Sequence, residues 1–146
     1  MDPLSTKQSR VSILRSILEI FGIIFMRFRP LQRIWGIWLV AVNAASLIFI
    51  NHLEALIALG AVGVVVLMQA LIYQRKRFIR ILGVTHILWL PMLAWMAMRI
   101  PTLPDEERGL RSWLIALIAT NLLSLVIDAW DATRFILGER NPYYAW

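Results

Sequence analysis

Polar side chains that could do chemistry lie inside long apolar stretches of this 146-residue chain. Three of them lie six residues from a basic residue at the end of the stretch, namely Gln69 from Arg75, His86 from Arg80 and Asp128 from Arg134. In a helix that rises about 1.5 Å per residue, each lies about 9 Å from its basic residue. The pattern therefore predicts one layer that contains an amide, an imidazole and a carboxylate.

The last apolar stretch carries a stripe of polar residues. Its members follow the spacing i, i+3, i+7 and i+10 and are Asn121, Ser124, Asp128 and Asp131. This spacing places them on one face of a helix. Polar groups that face lipid lack hydrogen-bond partners, so the stripe is expected to face the bundle interior or another protein. Asn121 and, in the first stretch, Asn43 are predicted to lie somewhat deeper than the layer.

Both carboxylates of the stripe have predicted partners. Arg134 follows Asp131 by one helical turn, which predicts an ion pair at the membrane interface. His86 is the candidate partner of Asp128, because a buried imidazole alone tends to lose its proton and a buried carboxyl alone tends to gain one. Three roles are open for the layer: hydrogen bonds that hold helices together, a proton or ion pathway, and a surface that binds a ligand or a partner.

The elements that position these residues are four long apolar stretches. They run over Ile34–Ile50, Leu53–Tyr73, Ile79–Met98 and Leu110–Asp131. Each is close to the ~20 helical residues that cross a hydrocarbon core of ~30 Å. The chain is 60% hydrophobic, whereas soluble domains are about 45–50% apolar. The sequence predicts an all-α membrane protein whose four transmembrane helices form an up-down-up-down bundle.

The basic residues predict the orientation of this bundle. Of the fifteen Lys and Arg residues, six precede the first stretch, four lie in the second connector, two follow the last stretch and three lie in the third connector. The positive-inside rule then places both termini in the cytoplasm, with anionic lipid headgroups as a partner on that side. The net charge of +6 is explained by topology, and no nucleic-acid partner is predicted. The bundle is assigned residues 31–137, and a short cytoplasmic tail residues 138–146.

Residues 1–30 are predicted to form a cytoplasmic amphipathic helix on the membrane surface. Apolar side chains recur at helical spacing over 9–28, while Ser16 and Glu19 belong to the opposite, polar face. The uninterrupted apolar run is too short to cross a bilayer, which favours a helix that lies in the interface. Packing of this helix on a partner subunit and a fifth crossing are the alternatives.

The remaining features limit the chemistry. The chain has no cysteine, which excludes disulfides, thiolate metal sites and cysteine nucleophiles. No phosphate-binding loop, metal-ligand spacing or catalytic motif is present, so neither an enzyme nor a cofactor or metal is predicted. Pro91 lies in the middle of the third stretch and predicts a kink near His86, since proline removes a helical hydrogen bond.

Together these features favour a small polytopic protein of structural or accessory type in a bacterial inner membrane. It is expected to form homo-oligomers or to dock on a larger membrane complex. The first alternative is a proton or small-ion channel or transporter that uses His86 and Asp128. The second alternative is the binding of a lipid or a small hydrophobic ligand.

Overall fold

The computed structural model describes residues 12–76 and 80–139, which are almost entirely helical and contain no strand. Four helical segments are long and apolar enough to cross a membrane, namely Pro30–Phe49, Leu53–Arg75, Leu82–Thr102 and Arg108–Ile136. The predicted all-α class and the four apolar helices are confirmed. Three parts of the predictions lie outside the described residues: the N-terminal residues 1–11, the start of the third stretch at Ile79, and the tail residues 140–146.

Five α-helices follow one another along the chain. They are α1 (Ile13–Gly22), α2 (Pro30–Ala44), α3 (Leu53–Lys76), α4 (Trp89–Arg99) and α5 (Arg108–Ile136). Tighter 3-10 turns extend α2 over Ala45–Phe49, precede α4 over Arg80–Leu88 and follow it over Ile100–Thr102. A wider π turn, Ile23–Arg27, continues α1. The first span begins at Pro30, before the apolar stretch that starts at Ile34, and the last span ends at Ile136, after the apolar stretch that ends at Asp131. Both spans therefore extend beyond their apolar stretches at the ends that carry basic residues.

Local sequence explains where α1 and α2 begin. The Ser12 hydroxyl accepts a hydrogen bond from the Arg15 amide at 3.2 Å and so caps the first turn of α1. α2 begins at Pro30, where the missing amide hydrogen costs nothing because first-turn amides have no helical partner. Together, α1 and its π turn cover about 22 Å at 1.5 Å per residue, which is shorter than the ~30 Å hydrocarbon core.

The polar face of α1 is the face that packs against α3. Ser16, Ile20 and Ile23 are buried, and Ile20 and Ile23 form a cluster with Tyr73 of α3. The Tyr73 hydroxyl donates to Glu19 Oε2 at 2.9 Å. Part of the apolar face points outward instead, with Leu14 and Leu18 at 67% and 63% exposure, while Ile17, Phe21 and Ile24 of that face are half-buried. An outward apolar face is favourable where hydrocarbon surrounds the helix.

Residues 50–54 and 99–107 connect the spans at the end opposite to α1, and this end is called the loop end below. Charged side chains link the two connectors. Arg99 Nε donates to Glu54 Oε1 at 2.9 Å, and the Glu54 side chain is almost fully buried. His52 Nε2 lies 3.7 Å from Glu107 Oε2 in the neighbouring connector. Buried charges are tolerated when they are paired in this way.

The third span changes geometry before Pro91. A 3-10 helix of nine residues, Arg80–Leu88, passes into α4 at Trp89. Such long 3-10 runs are uncommon because their hydrogen bonds have poorer geometry. Pro91 lies in the first turn of α4, where its missing amide hydrogen is tolerated. The 3-10 segment packs closely along α5, and this contact positions the residues of the candidate site.

Apolar side chains fill the loop half of the spans. The fully buried residues of this core include Met96, Leu110, Leu114 and Leu117, which come from α4 and α5. Trp113 stacks on Phe49 with ring centroids 5.2 Å apart, and its indole nitrogen donates to the Val42 carbonyl at 3.0 Å. The polar residues of the predicted layer lie outside this core.

Candidate functional site

Gln69, His86 and Asp128 come together in a chain of hydrogen bonds across three helical segments. Gln69 Nε2 on α3 lies 3.2 Å from His86 Nε2 on the 3-10 segment. His86 Nδ1 lies 2.7 Å from Asp128 Oδ2 on α5. These three side chains are called the polar triad below. The His86 and Asp128 side chains are only 12% and 16% exposed, so they interact in a poorly hydrated environment.

Two neighbours support the triad. Ser124, one turn before Asp128, places its hydroxyl 3.5 Å from Asp128 Oδ2. The Trp89 ring stacks on the His86 imidazole, with centroids 4.2 Å apart and 27° between the ring planes. Residues i and i+3 of a 3-10 helix lie above one another, so the stacking follows from the local geometry. The stacked ring and the hydrogen bonds together restrict the imidazole to one orientation.

Asn43 and Asn121 form a separate pair deeper in the structure. Asn43 Nδ2 donates to Asn121 Oδ1 at 2.9 Å, and Asn121 Nδ2 donates to Asn43 Oδ1 at 3.2 Å. The same Asn43 nitrogen also donates to the Leu39 carbonyl at 2.9 Å. Both side chains are buried, and each satisfies the other. This reciprocal pair joins α2 to α5 at the edge of the apolar core.

The other predicted site residues lie apart from the triad. Asp131 and Arg134 both line the crevice described below, and Arg134 Nε donates to Glu139 Oε2 at 2.9 Å. The interfacial pairing of Asp131 with Arg134 stays a prediction. Pro91 is exposed and does not line that crevice.

An apolar crevice of about 590 Å³ lies beside the polar triad and is bounded by α1, α2, α3, the 3-10 segment and α5. On α2 and the 3-10 turn that extends it, the lining runs from Gln32 to Leu47, which is about 22 Å of helix at 1.5 Å per residue. Valine and leucine side chains make up most of the α3 wall. All three triad side chains line the crevice, so polar groups face an otherwise apolar space.

Two buried polar atoms in the crevice wall have no hydrogen-bond partner among the described residues. They are the Trp89 indole nitrogen, a donor, and Gln32 Oε1, an acceptor. Buried polar groups are usually satisfied, so atoms of this kind call for a reason in each case. Both belong to residues that line the crevice.

Gly83 is a functional residue that the sequence reasoning missed. A methyl group at its Cα would lie 2.0 Å from Asp128 Oδ1 and 2.6 Å from Asp128 Cγ. Only glycine therefore allows the 3-10 segment to approach the carboxylate so closely. The available signal was the spacing of Gly83 three residues before His86, which places both residues on one face of a helix. The crevice itself had no signal, because it depends on how α1 docks.

Comparison with known proteins gives no match to a protein-family model, to a curated protein or to a solved structure. The described residues define an all-helical chain with four apolar segments of membrane-spanning length. The triad and the crevice are therefore the features from which a function can be inferred.

Proposed function

We propose that this chain is a small integral membrane protein whose crevice binds a lipid or another small hydrophobic molecule. The observation that carries the proposal is the crevice of about 590 Å³, within the ~300–1,000 Å³ usual for small-molecule pockets. Its walls are mostly apolar and carry a few polar groups, which is the composition that binds a hydrophobic body and orients it.

The shape of the crevice favours an elongated ligand. Its lining follows one face of the first span from Gln32 to Leu47, so the apolar wall runs along the span rather than across it. Hydrocarbon suits such a wall better than water does, because water there would find few polar partners.

The membrane setting is part of the proposal. The distribution of basic residues supports four up-down-up-down crossings with both termini in the cytoplasm of a bacterial cell. In this orientation α1 lies at the cytoplasmic leaflet. Its exposed Leu14 and Leu18 enter the acyl boundary, and nearby arginines contact anionic headgroups.

An accessory role, in which the chain forms oligomers or docks on a larger complex, stays a prediction alongside ligand binding. A proton pathway also has one supporting observation, the short His86–Asp128 contact of 2.7 Å. However, Met96, Leu114 and Leu117 fill the loop half of the spans with apolar atoms, and protons move along chains of polar groups. A pH-dependent flux into liposomes that contain the purified protein would favour this alternative.

The test of ligand binding compares two identical substitutions on α3. Val66 lines the crevice, whereas Val64 is 52% exposed and is not among its lining residues. The binding of N-phenyl-1-naphthylamine, a neutral hydrophobic fluorophore, is measured in nonionic detergent with protein-free micelles as background. We expect Val66→Phe to weaken binding by about tenfold or more. The phenyl ring would occupy space that the ligand fills, and one methylene group that does not fit an apolar pocket already weakens binding by about tenfold. Val64→Phe is expected to bind as the wild type does; equal binding by all three proteins would overturn the proposal.

A further inference from the structure

We infer that the crevice prefers organic cations and holds the positive group of its ligand at the Asp128 carboxylate. The inference rests on the proposed function, since it specifies the ligand class of the same crevice. It follows from the positions of the protons in the polar triad, from the contacts of Asp128 and from the aromatic side chains of the crevice wall.

Hydrogen-bond directions assign the protons of the triad. Gln69 Nε2 lies 3.5 Å from the Leu82 carbonyl oxygen, which can only accept a hydrogen bond. The same nitrogen lies 3.2 Å from His86 Nε2, so His86 Nε2 is the acceptor there and carries no proton. The imidazole proton is then on Nδ1, which donates to Asp128 Oδ2 at 2.7 Å. In this arrangement His86 is neutral, Asp128 is ionised, and the triad carries one negative charge.

The negative charge of Asp128 is not balanced by a positive charge on a described residue. Among the described side chains, His86 is the only ion-pairing partner of Asp128, and Ser124 is the other hydrogen-bond donor at 3.5 Å. Both of these contacts go to Oδ2, while no described residue donates to Oδ1. An ionised carboxylate in an apolar setting is costly unless a positive charge accompanies it. A cation that enters the crevice therefore gains an electrostatic interaction that an uncharged ligand does not.

The lining of the crevice favours an organic cation over a metal ion. A metal ion such as Ca²⁺ requires six to eight oxygen ligands, whereas most of this wall is hydrocarbon. Aromatic side chains of Trp35, Trp89 and Trp130 line the crevice together with the triad, and ring faces attract organic cations. An amine, ammonium or phosphonium group on an apolar body matches this combination.

Two ions of the same shape and opposite charge provide the test. Tetraphenylphosphonium and tetraphenylborate are titrated against the wild-type protein in nonionic detergent, with displacement of N-phenyl-1-naphthylamine as the signal. The measured quantity is the affinity for tetraphenylphosphonium divided by the affinity for tetraphenylborate, determined for each protein. We expect the wild type to prefer the cation, and Asp128→Asn to lower the ratio by about tenfold or more, as for the loss of a poorly hydrated charge pair. Asp105→Asn is the control, because Asp105 lies in the loop-end connector at 95% exposure.

The outcomes separate this inference from the proposed function. If the neutral fluorophore binds but the ratio is the same in wild type and Asp128→Asn, the crevice binds ligands without charge selection, and the inference is overturned alone. If neither the fluorophore nor either ion binds to the wild type, both proposals fall. Binding of the neutral fluorophore to Asp128→Asn shows that this variant is folded, so a lowered ratio cannot be attributed to misfolding.

Discussion

Gly83→Ala tests whether the close approach of the 3-10 segment to Asp128 stabilises the fold. The added methyl group would lie 2.0 Å from Asp128 Oδ1 and 3.2 Å from Asp128 Cβ, so the carboxylate must rotate away. Rotation breaks the 2.7 Å contact with His86, and hydrogen bonds to charged groups contribute about 1.5–3 kcal/mol. Alanine offsets about 0.5–1 kcal/mol of this loss, because it restricts the unfolded chain more than glycine does. The expected net destabilisation is about 1–2 kcal/mol.

The assay is reversible unfolding in mixed micelles, followed by far-ultraviolet circular dichroism. The decisive comparison repeats Gly83→Ala in an Asp128→Ala background, where no carboxylate opposes the methyl group. In that background, Gly83→Ala should be neutral or should stabilise the protein by up to about 1 kcal/mol, whereas it destabilises the wild type. Gly60→Ala is the control, since a methyl group at Gly60 meets nothing within 4 Å. A stabilising Gly83→Ala in the wild-type background, or the same sign in both backgrounds, would refute the reasoning.

Three further substitutions test other contacts of the fold. Asn121→Leu leaves the buried amide of Asn43 without both of its cross-helix hydrogen bonds. It should destabilise the protein by about 1–3 kcal/mol in the same unfolding assay. Adding Asn43→Leu should restore most of the lost stability. Glu54→Gln removes the charge that pairs with Arg99 at 2.9 Å and should lower stability by about 1–3 kcal/mol, less than for a fully buried pair because Arg99 is partly exposed. Tyr73→Phe removes the hydroxyl that donates to α1, so amide hydrogen exchange in α1 should accelerate while exchange in α5 is unchanged; equal acceleration in both would contradict this.

Long apolar runs were sufficient to predict the helical class and the four spans, because span length is set by the thickness of the hydrocarbon core. The ends were harder to place. Hydrophobicity marks where a helix leaves the hydrocarbon and not where its hydrogen bonds stop, so the apolar stretch ends at Asp131 while the last helix runs to Ile136, one residue short of the bundle end predicted at residue 137. The 3-10 geometry of Arg80–Leu88 has no clear sequence signal, because it depends on packing against α5.

The polar residues of the candidate site could be picked out from the sequence, because amides, imidazoles and carboxylates are rare inside apolar helices. Their partners were harder to identify. Equal depth explains why Gln69, His86 and Asp128 were considered together, but depth says nothing about which helices are neighbours. The docking of α1 was the least predictable feature, since its polar face with Ser16 and Glu19 contacts α3, while Leu14 and Leu18 of its apolar face are exposed.

The most direct test of ligand binding is native mass spectrometry of the full chain released from membranes in mild detergent. The wild type should carry one additional small molecule of a few hundred daltons, and the identity of that molecule follows from its fragmentation. Val66→Phe should lose the molecule while Val64→Phe retains it, because only Val66 lines the crevice. A wild-type protein that appears only at its bare chain mass, or a bound molecule that is equally abundant in both variants, would contradict binding in the crevice.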